Sequence, residues 1–402
     1  MGWKSSSIYS KNIVMGNRVL FFDFDYSGHH SEYIKHLMDY LASNERFERC
    51  IFVINPDFPM KFPLLLQKAE DIERIKVVLM TRKEFHLGKK GGGINRSLFA
   101  YWILKKYAKK FDVNRVILLH FNVFQLSLGL FRPSYEIEGI LFLQFYHLNK
   151  RTLKEKLKYY RKYWITWFFL QNHQVKKVFI LNDLKAVKYL NDNFKTTVFQ
   201  MLPDPVKLLS PHPTFSLRAE YRINTERIIY LHFGSLYKGK GTLNILDSFD
   251  YLDDETLSKI AVFLVGKASD SMDSLIKSKI LLIKQEKNNV CLIYRNEFIP
   301  DSLMKSFFDQ SDFVLIPYKN IETSSGVFGH AMASGKPVIG PKQGLLGELI
   351  EENQWGISLE TVSPESIARG IKNSINFSVN EYLKKEYLDS HSPRQFAQNL
   401  LD

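Results

Sequence analysis

Hydrophobic residues fall in short runs, set apart by polar or helically spaced stretches. Arg18–Phe24 (RVLFFDF) carries such a run, as expected of a strand buried on both faces of a parallel sheet. SEYIKHLMDYLAS follows, with Tyr33, Leu37, Met38 and Leu41 at helical spacing. CIFVIN, KVVLM, RVILLHF, GILFLQFYH and KVFIL then continue the series, separated by polar or helical sequence. This alternation predicts a doubly wound α/β sheet. A second series begins after LPDP, with IIYLHFG, AVFLVG, VCLIY, FVLIPY and KPVIGP. Between the two, Lys207–Arg227 has no strand signal and reads as a linker. The pattern predicts Rossmann-like domains over 1–207 and 208–390, with a ligand cleft between them.

Length agrees, since 402 residues at ~100–200 per domain suggest two. A hydrophobic content of 45% fits a folded protein with a large core. Two cysteines, Cys50 and Cys291, cannot form a disulfide framework or a four-thiolate zinc site, so no structural metal and a reducing compartment are expected. MGWKSSSIYSKN has no apolar signal-peptide core. The longest uncharged stretch, Val116–Phe131, is interrupted by His120, Asn122, Gln125 and Ser127 and falls short of the ~20 apolar residues of a spanning helix. These features predict a cytoplasmic protein. The 55 Lys+Arg against 42 Asp+Glu favour polyanionic partners, but no zinc-finger, homeodomain or RNP pattern points to nucleic acid.

The richest segment for chemistry is Phe313–Glu348. A strand (Phe313–Pro317) leads through Tyr318–Ser325 into a helix from about Gly326, with Ser324 or Ser325 as N-cap. N–H groups at that helix start could hold a diphosphate, and Gly326 would allow close approach. An ordinary capped helix has the same pattern. Lys238 and Lys240 fit either a phosphate-binding turn or a solvated one. His29 and His30 read as caps or site residues at a helix start, while His120 reads as structural. Asn149–Lys177 interleaves Lys150, Arg151, Lys154, Lys156, Lys158, Arg161 and Lys162 with Tyr159, Tyr160, Tyr163, Trp164 and Trp167. It suits an interfacial membrane contact at the inner face, or a helix with Trp164, Trp167, Phe168 and Leu170 in the core.

Order along the chain adds a resemblance. Glu322 followed by AMASGKPVIG (Ala331–Gly340) resembles the signature of glycosyltransferase family 4, retaining enzymes of GT-B fold. His330 replaces that family's second acidic residue, which holds the ribose. FGSLYKGKGTLNILDSF resembles its Lys-Gly segment, with Lys240–Gly241 as the pair and Ser235 in place of the usual Arg. FLVGKA, ending its strand at Gly266, and LPDPV are similar to further family segments. So, loosely, are the Gly28 loop and GILFLQFYH, where His147 takes the acceptor-side position.

The resemblance implies a GT-B enzyme that moves a sugar from a nucleotide-sugar to an acceptor hydroxyl, with retention and without metal or cofactor. Bacterial surface polysaccharide or glycolipid synthesis and a sugar or lipid-linked acceptor are the implied setting. His147 and Glu322 are the expected catalytic pair. Gly28, Lys240, Gly266, Ser324, Ser325, Gly326 and His330 are the expected donor contacts. Residues 391–402 are expected as a helix crossing back to the first domain. Two rivals share the fold: a nucleotide-sugar epimerase, and a silent binding subunit suggested by His330 and Ser235.

Overall fold

The computed structural model describes residues 18–25, 29–319, 325–352, 354–375, 377 and 381–402. Seven strands form the first sheet: β1 (Arg18–Phe22), β2 (Arg49–Ile54), β3 (Ile75–Leu79), β4 (Arg115–Leu118), β5 (Glu136–Ile140), β6 (Val175–Leu181) and β7 (Phe199–Leu202). Their order is β3-β2-β1-β4-β5-β6-β7. The second sheet contains β8 (Ile228–Phe233), β9 (Ile260–Val265), β10 (Leu292–Arg295), β11 (Phe313–Leu315), β12 (Val338–Pro341) and β13 (Gly356–Leu359). It runs β10-β9-β8-β11-β12-β13. The pairings β1·β2, β1·β4, β8·β9 and β8·β11 are all parallel. Parallel strands need crossovers, which the intervening helices supply. Both sheets are therefore Rossmann-like, as the alternating runs predict.

Each sheet reverses its winding once, between β1 and β4 and between β8 and β11. Ligands of open α/β sheets bind beyond the C-terminal strand ends at such a switch point. In the second sheet the core occupies both faces. Ile229, Leu231, Phe263 and Val314 pack on one side, and Tyr230, Val262, Leu264 and Leu315 on the other. That two-sided burial is why IIYLHF and IAVFLV read as continuous apolar runs.

Chain contacts divide the molecule into two compact units. One comprises Met1–Phe142, Arg161–Phe179 and Phe194–Gln200; the other comprises Leu143–Tyr160, Ile180–Asn193 and Met201–Asp402. Within the second unit, the stretch expected as a linker packs against its neighbours. Leu217 and Ile223 are buried, and Leu217 N–H donates to Gln310 Oε1. The chain's tail forms the helix Pro393–Leu401, capped by Ser392.

GILFLQFYH departs from expectation. β5 stops at Ile140, so His147 lies seven residues beyond it rather than at a strand end. Leu141 and Phe145 are nonetheless buried, which explains the strand-like apolar run. The segment turns because Gln144 accepts from the Tyr146 N–H, a side-chain bond that competes with a ladder.

Candidate functional site

Beyond β8, at the switch point, the chain enters Gly234 and a short 3₁₀ turn, Lys238–Lys240, before Gly241. His232, fully buried on β8, bonds the Leu315 carbonyl at 2.9 Å and Thr242 Oγ1 at 3.0 Å. Burial lowers its pKa to about 4, so a neutral imidazole ties the turn to β11. The Lys319 N–H donates to the Gly239 carbonyl at 3.0 Å. Gly241 has φ +77°, and a Cβ there would lie 2.2 Å from the Pro317 carbonyl oxygen. Only glycine lets these loops approach so closely.

That packing shelters Lys240. Its ammonium sits 3.5 Å from the Tyr318 ring centroid, and burial lowers its pKa to about 8. Among the described residues no carboxylate pairs with it. Lys238, two positions earlier, is exposed. A desolvated cation without a counter-charge is destabilising by itself, and an anion brought to it would relieve that cost.

Two further elements converge beside this turn. Gly266, at the end of β9, has φ +136°, and a Cβ there would lie 1.9 Å from the Gly234 carbonyl oxygen. Ser325 caps the helix Gly326–Ala333, its Oγ accepting from the Phe328 N–H at 3.4 Å. The N–H groups of Gly326 and Val327 lead that helix and have no partners within it, the arrangement that favours an anion. His330 lies on the same helix, its ring 5.7 Å from that of Phe308. Lys240, Gly266, Ser325, Gly326 and His330 thus all belong to the second unit. Gly28, Glu322 and Ser324 lie outside the described residues.

Gly266→Ala should destabilise the protein by about 3 kcal/mol or more, since both φ and the Gly234 backbone oppose a side chain. Urea unfolding measures this, and a loss below about 1 kcal/mol would mean that the strand end is not held as described.

His147 has partners that sequence reasoning missed. Its Nε2 is 2.8 Å from Asp183 Oδ2, and its Nδ1 is 4.0 Å from Glu348 Oε1. Asp183 is buried, receives the Gln144 amide at 3.1 Å and caps the helix Leu184–Phe194 through the Ala186 N–H at 2.8 Å. An acceptor carboxylate at Nε2 fixes the tautomer, leaving Nδ1 as the lone-pair nitrogen. Burial raises the pKa of Glu348, although Lys185 lies 4.0 Å away.

A second cluster lies at the switch point of the first sheet. His30 Nδ1 meets Asp23 Oδ2 at 2.6 Å, and His120 Nδ1 meets Asp25 Oδ2 at 3.1 Å. The Lys89 ammonium holds Asp25 Oδ1 at 2.8 Å. His120, read as structural from sequence, therefore shares a polar cluster with His30. Its signal was its place just after β4, beside β1. The Asp25–His30–His120 and His147–Asp183–Glu348 groups each offer three possible ligand atoms within 4.8 Å of one another. In both, the carboxylates already serve a lysine or a helix cap.

Comparison with known proteins comes to the same region. Over 169 residues the chain is 28% identical to the lipopolysaccharide 1,2-N-acetylglucosaminetransferase of Salmonella typhimurium, covering 41% of this chain and 43% of that protein. The chain thus spans less than half the length of this curated relative. A glycosyltransferase from Rickettsia africae superposes with a TM-score of 0.65 at 15% identity, covering 96% of this chain and 97% of that one. Anabaena HepE in complex with UDP and glucose superposes with a TM-score of 0.60 at 15% identity, covering 96% and 95%. Together with the two parallel sheets, these likenesses show the GT-B fold class. Residues 214–385, which carry the Lys240 turn, Gly266 and the helix at Gly326, match the family model described as glycosyl transferases group 1.

Proposed function

We propose that this protein transfers a sugar from a nucleotide-sugar to an acceptor hydroxyl, with retention at the anomeric carbon. The observation that carries the reading is Lys240, a sheltered ammonium that pairs with no carboxylate among the described residues, set among close-packed glycines at the second sheet's switch point. Negative charge builds on the departing diphosphate during transfer, and fixed donors placed there stabilise the transition state. Lys240 supplies one charge, and the N–H groups of Gly326 and Val327 supply dipoles, so the residues answer the leaving group without a metal. By the resemblance of its segment Glu322 serves the donor sugar in this reading, and His330 serves the ribose as a weaker anchor than an acid. His147, oriented by Asp183, serves the acceptor side. Retention rests on the resemblance of the Glu322–Gly340 segment to retaining enzymes.

The Salmonella relative supports a lipid-linked or polysaccharide acceptor in bacterial surface synthesis. A nucleoside diphosphate screen by thermal shift tests the donor reading, because a ligand that binds only the folded state raises its stability. UDP or GDP should stabilise the protein. Stabilisation by neither, together with no transfer from any nucleotide-sugar, would favour the silent subunit; turnover of donor without acceptor would favour the epimerase.

Membrane attachment forms part of the proposal. Among the described residues no helix is long and apolar enough to cross a membrane. Along the helix Leu153–Leu170, however, Leu153, Leu157, Tyr160, Trp164 and Trp167 recur at steps of three and four, and all are exposed. Trp164 is 59% and Trp167 45% exposed, so neither occupies the core as the alternative reading of this stretch had them. Apolar side chains in one stripe with Lys154, Lys158 and Lys162 nearby suit an anionic bilayer surface. The protein should sediment with phosphatidylglycerol vesicles at low salt and be released at high salt. Glu at those three lysines should abolish sedimentation while the fold survives; unchanged sedimentation would return the helix to a purely structural role.

A further inference from the structure

The polar cluster at the first sheet's switch point has the donor set of a metal site. Asp25 lies shortly after β1, His30 in the helix His29–Ala42 and His120 shortly after β4. Each offers one ligating atom, and the three atoms lie within 4.8 Å of one another. Zn²⁺ binds such atoms at about 2.0–2.2 Å, which sets tetrahedral neighbours about 3.4 Å apart, so side-chain shifts of about 1 Å complete the approach. Behind His30 stands Asp23, which is buried and has its Oδ2 2.6 Å from the ring's Nδ1. Asp23 Oδ1 accepts the Asp25 N–H at 2.9 Å, so one buried acid holds two of the three ligands. A carboxylate behind a histidine fixes the ring and makes its other nitrogen a better ligand. Phe142 closes one side, its ring centroid 5.5 Å from those of both imidazoles.

Charge favours a cation here. Asp23 and Asp25 bring two carboxylates, and among the described residues Lys89 is the one lysine or arginine paired with either, 2.8 Å from Asp25 Oδ1. The Lys89 side chain is 40% exposed, so its ammonium can pass into solvent at little cost. We propose that Asp25, His30 and His120 bind Zn²⁺, with Asp23 orienting His30 and Lys89 yielding its place to the metal. Two imidazoles and a carboxylate suit Zn²⁺, whereas Mg²⁺ and Ca²⁺ take oxygen ligands. Three protein ligands leave a fourth position for water, or for an oxygen of a molecule bound beyond the strand ends. The site belongs to the first unit and needs no nucleotide, so it stands or falls apart from the Lys240 reading.

Full-length protein stripped with EDTA and titrated with ZnCl₂, followed by calorimetry and melting curves, tests the site. Saturable binding that raises Tm is expected. CoCl₂ in place of ZnCl₂ should give a visible absorption band that reports the nitrogen and oxygen ligands, lost in His30→Gln and in His120→Gln. Asp23→Asn keeps the shape but removes the charge behind His30, and should weaken Zn²⁺ binding about tenfold to a hundredfold. Lys89→Gln separates a metal site from a plain salt-bridge cluster. Removing the competing ammonium should tighten Zn²⁺ binding about fivefold or more, a gain that loss of a structural ion pair would not produce. No saturable binding, or binding that His30→Gln and His120→Gln both leave intact, would overturn the proposal. So would a folded Lys89→Gln protein that binds Zn²⁺ no more tightly than the parent.

Discussion

Replacing Lys240 with methionine should weaken nucleoside diphosphate binding by about tenfold to a hundredfold, the loss of one charge-assisted contact of roughly 1.5–3 kcal/mol. Lys238→Met should change it little, because that side chain is exposed. The same Lys240 substitution should stabilise the free protein, by about 1 kcal/mol or more. The reason is the direction of its pKa shift. In the fold the charged form is disfavoured and the pKa falls to about 8, from 10.5. Below pH 8 the protein therefore carries the burden of a sheltered charge, and between about 8 and 10.5 the unfolded chain binds more protons, so stability rises with pH. Diphosphate affinity should run the other way, falling as pH rises above about 8 and the ammonium is lost. Calorimetric binding across pH 6–10, with melting curves of both variants, checks all of this. Equal, small effects of the two lysines would place the anion elsewhere.

Asp183→Ala should destabilise the protein by about 3 kcal/mol, from the lost helix cap and from the buried bonds that Gln144 and His147 make to this carboxylate. Asp183→Asn is the more telling change. The amide oxygen can still cap the Leu184–Phe194 helix, so stability should fall less than in Asp183→Ala, the remaining loss coming from the Gln144 amide, which then faces an NH₂ in place of an acceptor. That NH₂ would also face His147 Nε2 and force that nitrogen to accept. With the hydrogen moved to Nδ1, the tautomer is the opposite of the present one, and transfer should slow by about 10²–10⁴-fold with a changed pH profile. Asp183 would thus be a positioning residue for His147. Full activity in a well-folded Asp183→Asn protein would make the His147 cluster purely structural.

What could be read from the chain follows the range of the interactions involved. β1 and β8 were legible because two-sided burial writes itself as an unbroken apolar run. β13, with the sequence GISL, and β7, FQML, are too short and mixed to do so; neighbouring strands rather than local propensity make them strands. Leu141 and Phe145 misled in the other direction, being buried without being strand. In the site, Lys240, Gly266 and the helix start at Gly326 each announce themselves within a few residues, because turn, glycine and cap are local devices. Asp183 and Glu348 could not be paired with His147 in the same way. Asp183 lies 36 positions beyond His147, and nothing around it in the sequence marks it as more than a helix cap. His120 and Asp25 are likewise 95 residues apart and meet only because β1 and β4 are neighbours. Trp164 and Trp167 show the limit of composition, since the same aromatic–basic helix fits a core or a surface until burial is known.

A structure with bound UDP or GDP would test the central claim most directly. The account predicts the diphosphate beyond β8 and β11, with a phosphate oxygen within about 3 Å of Lys240 Nζ and another facing the N–H groups of Gly326 and Val327. A nucleotide bound elsewhere, or a diphosphate that leaves Lys240 without a contact, would contradict it.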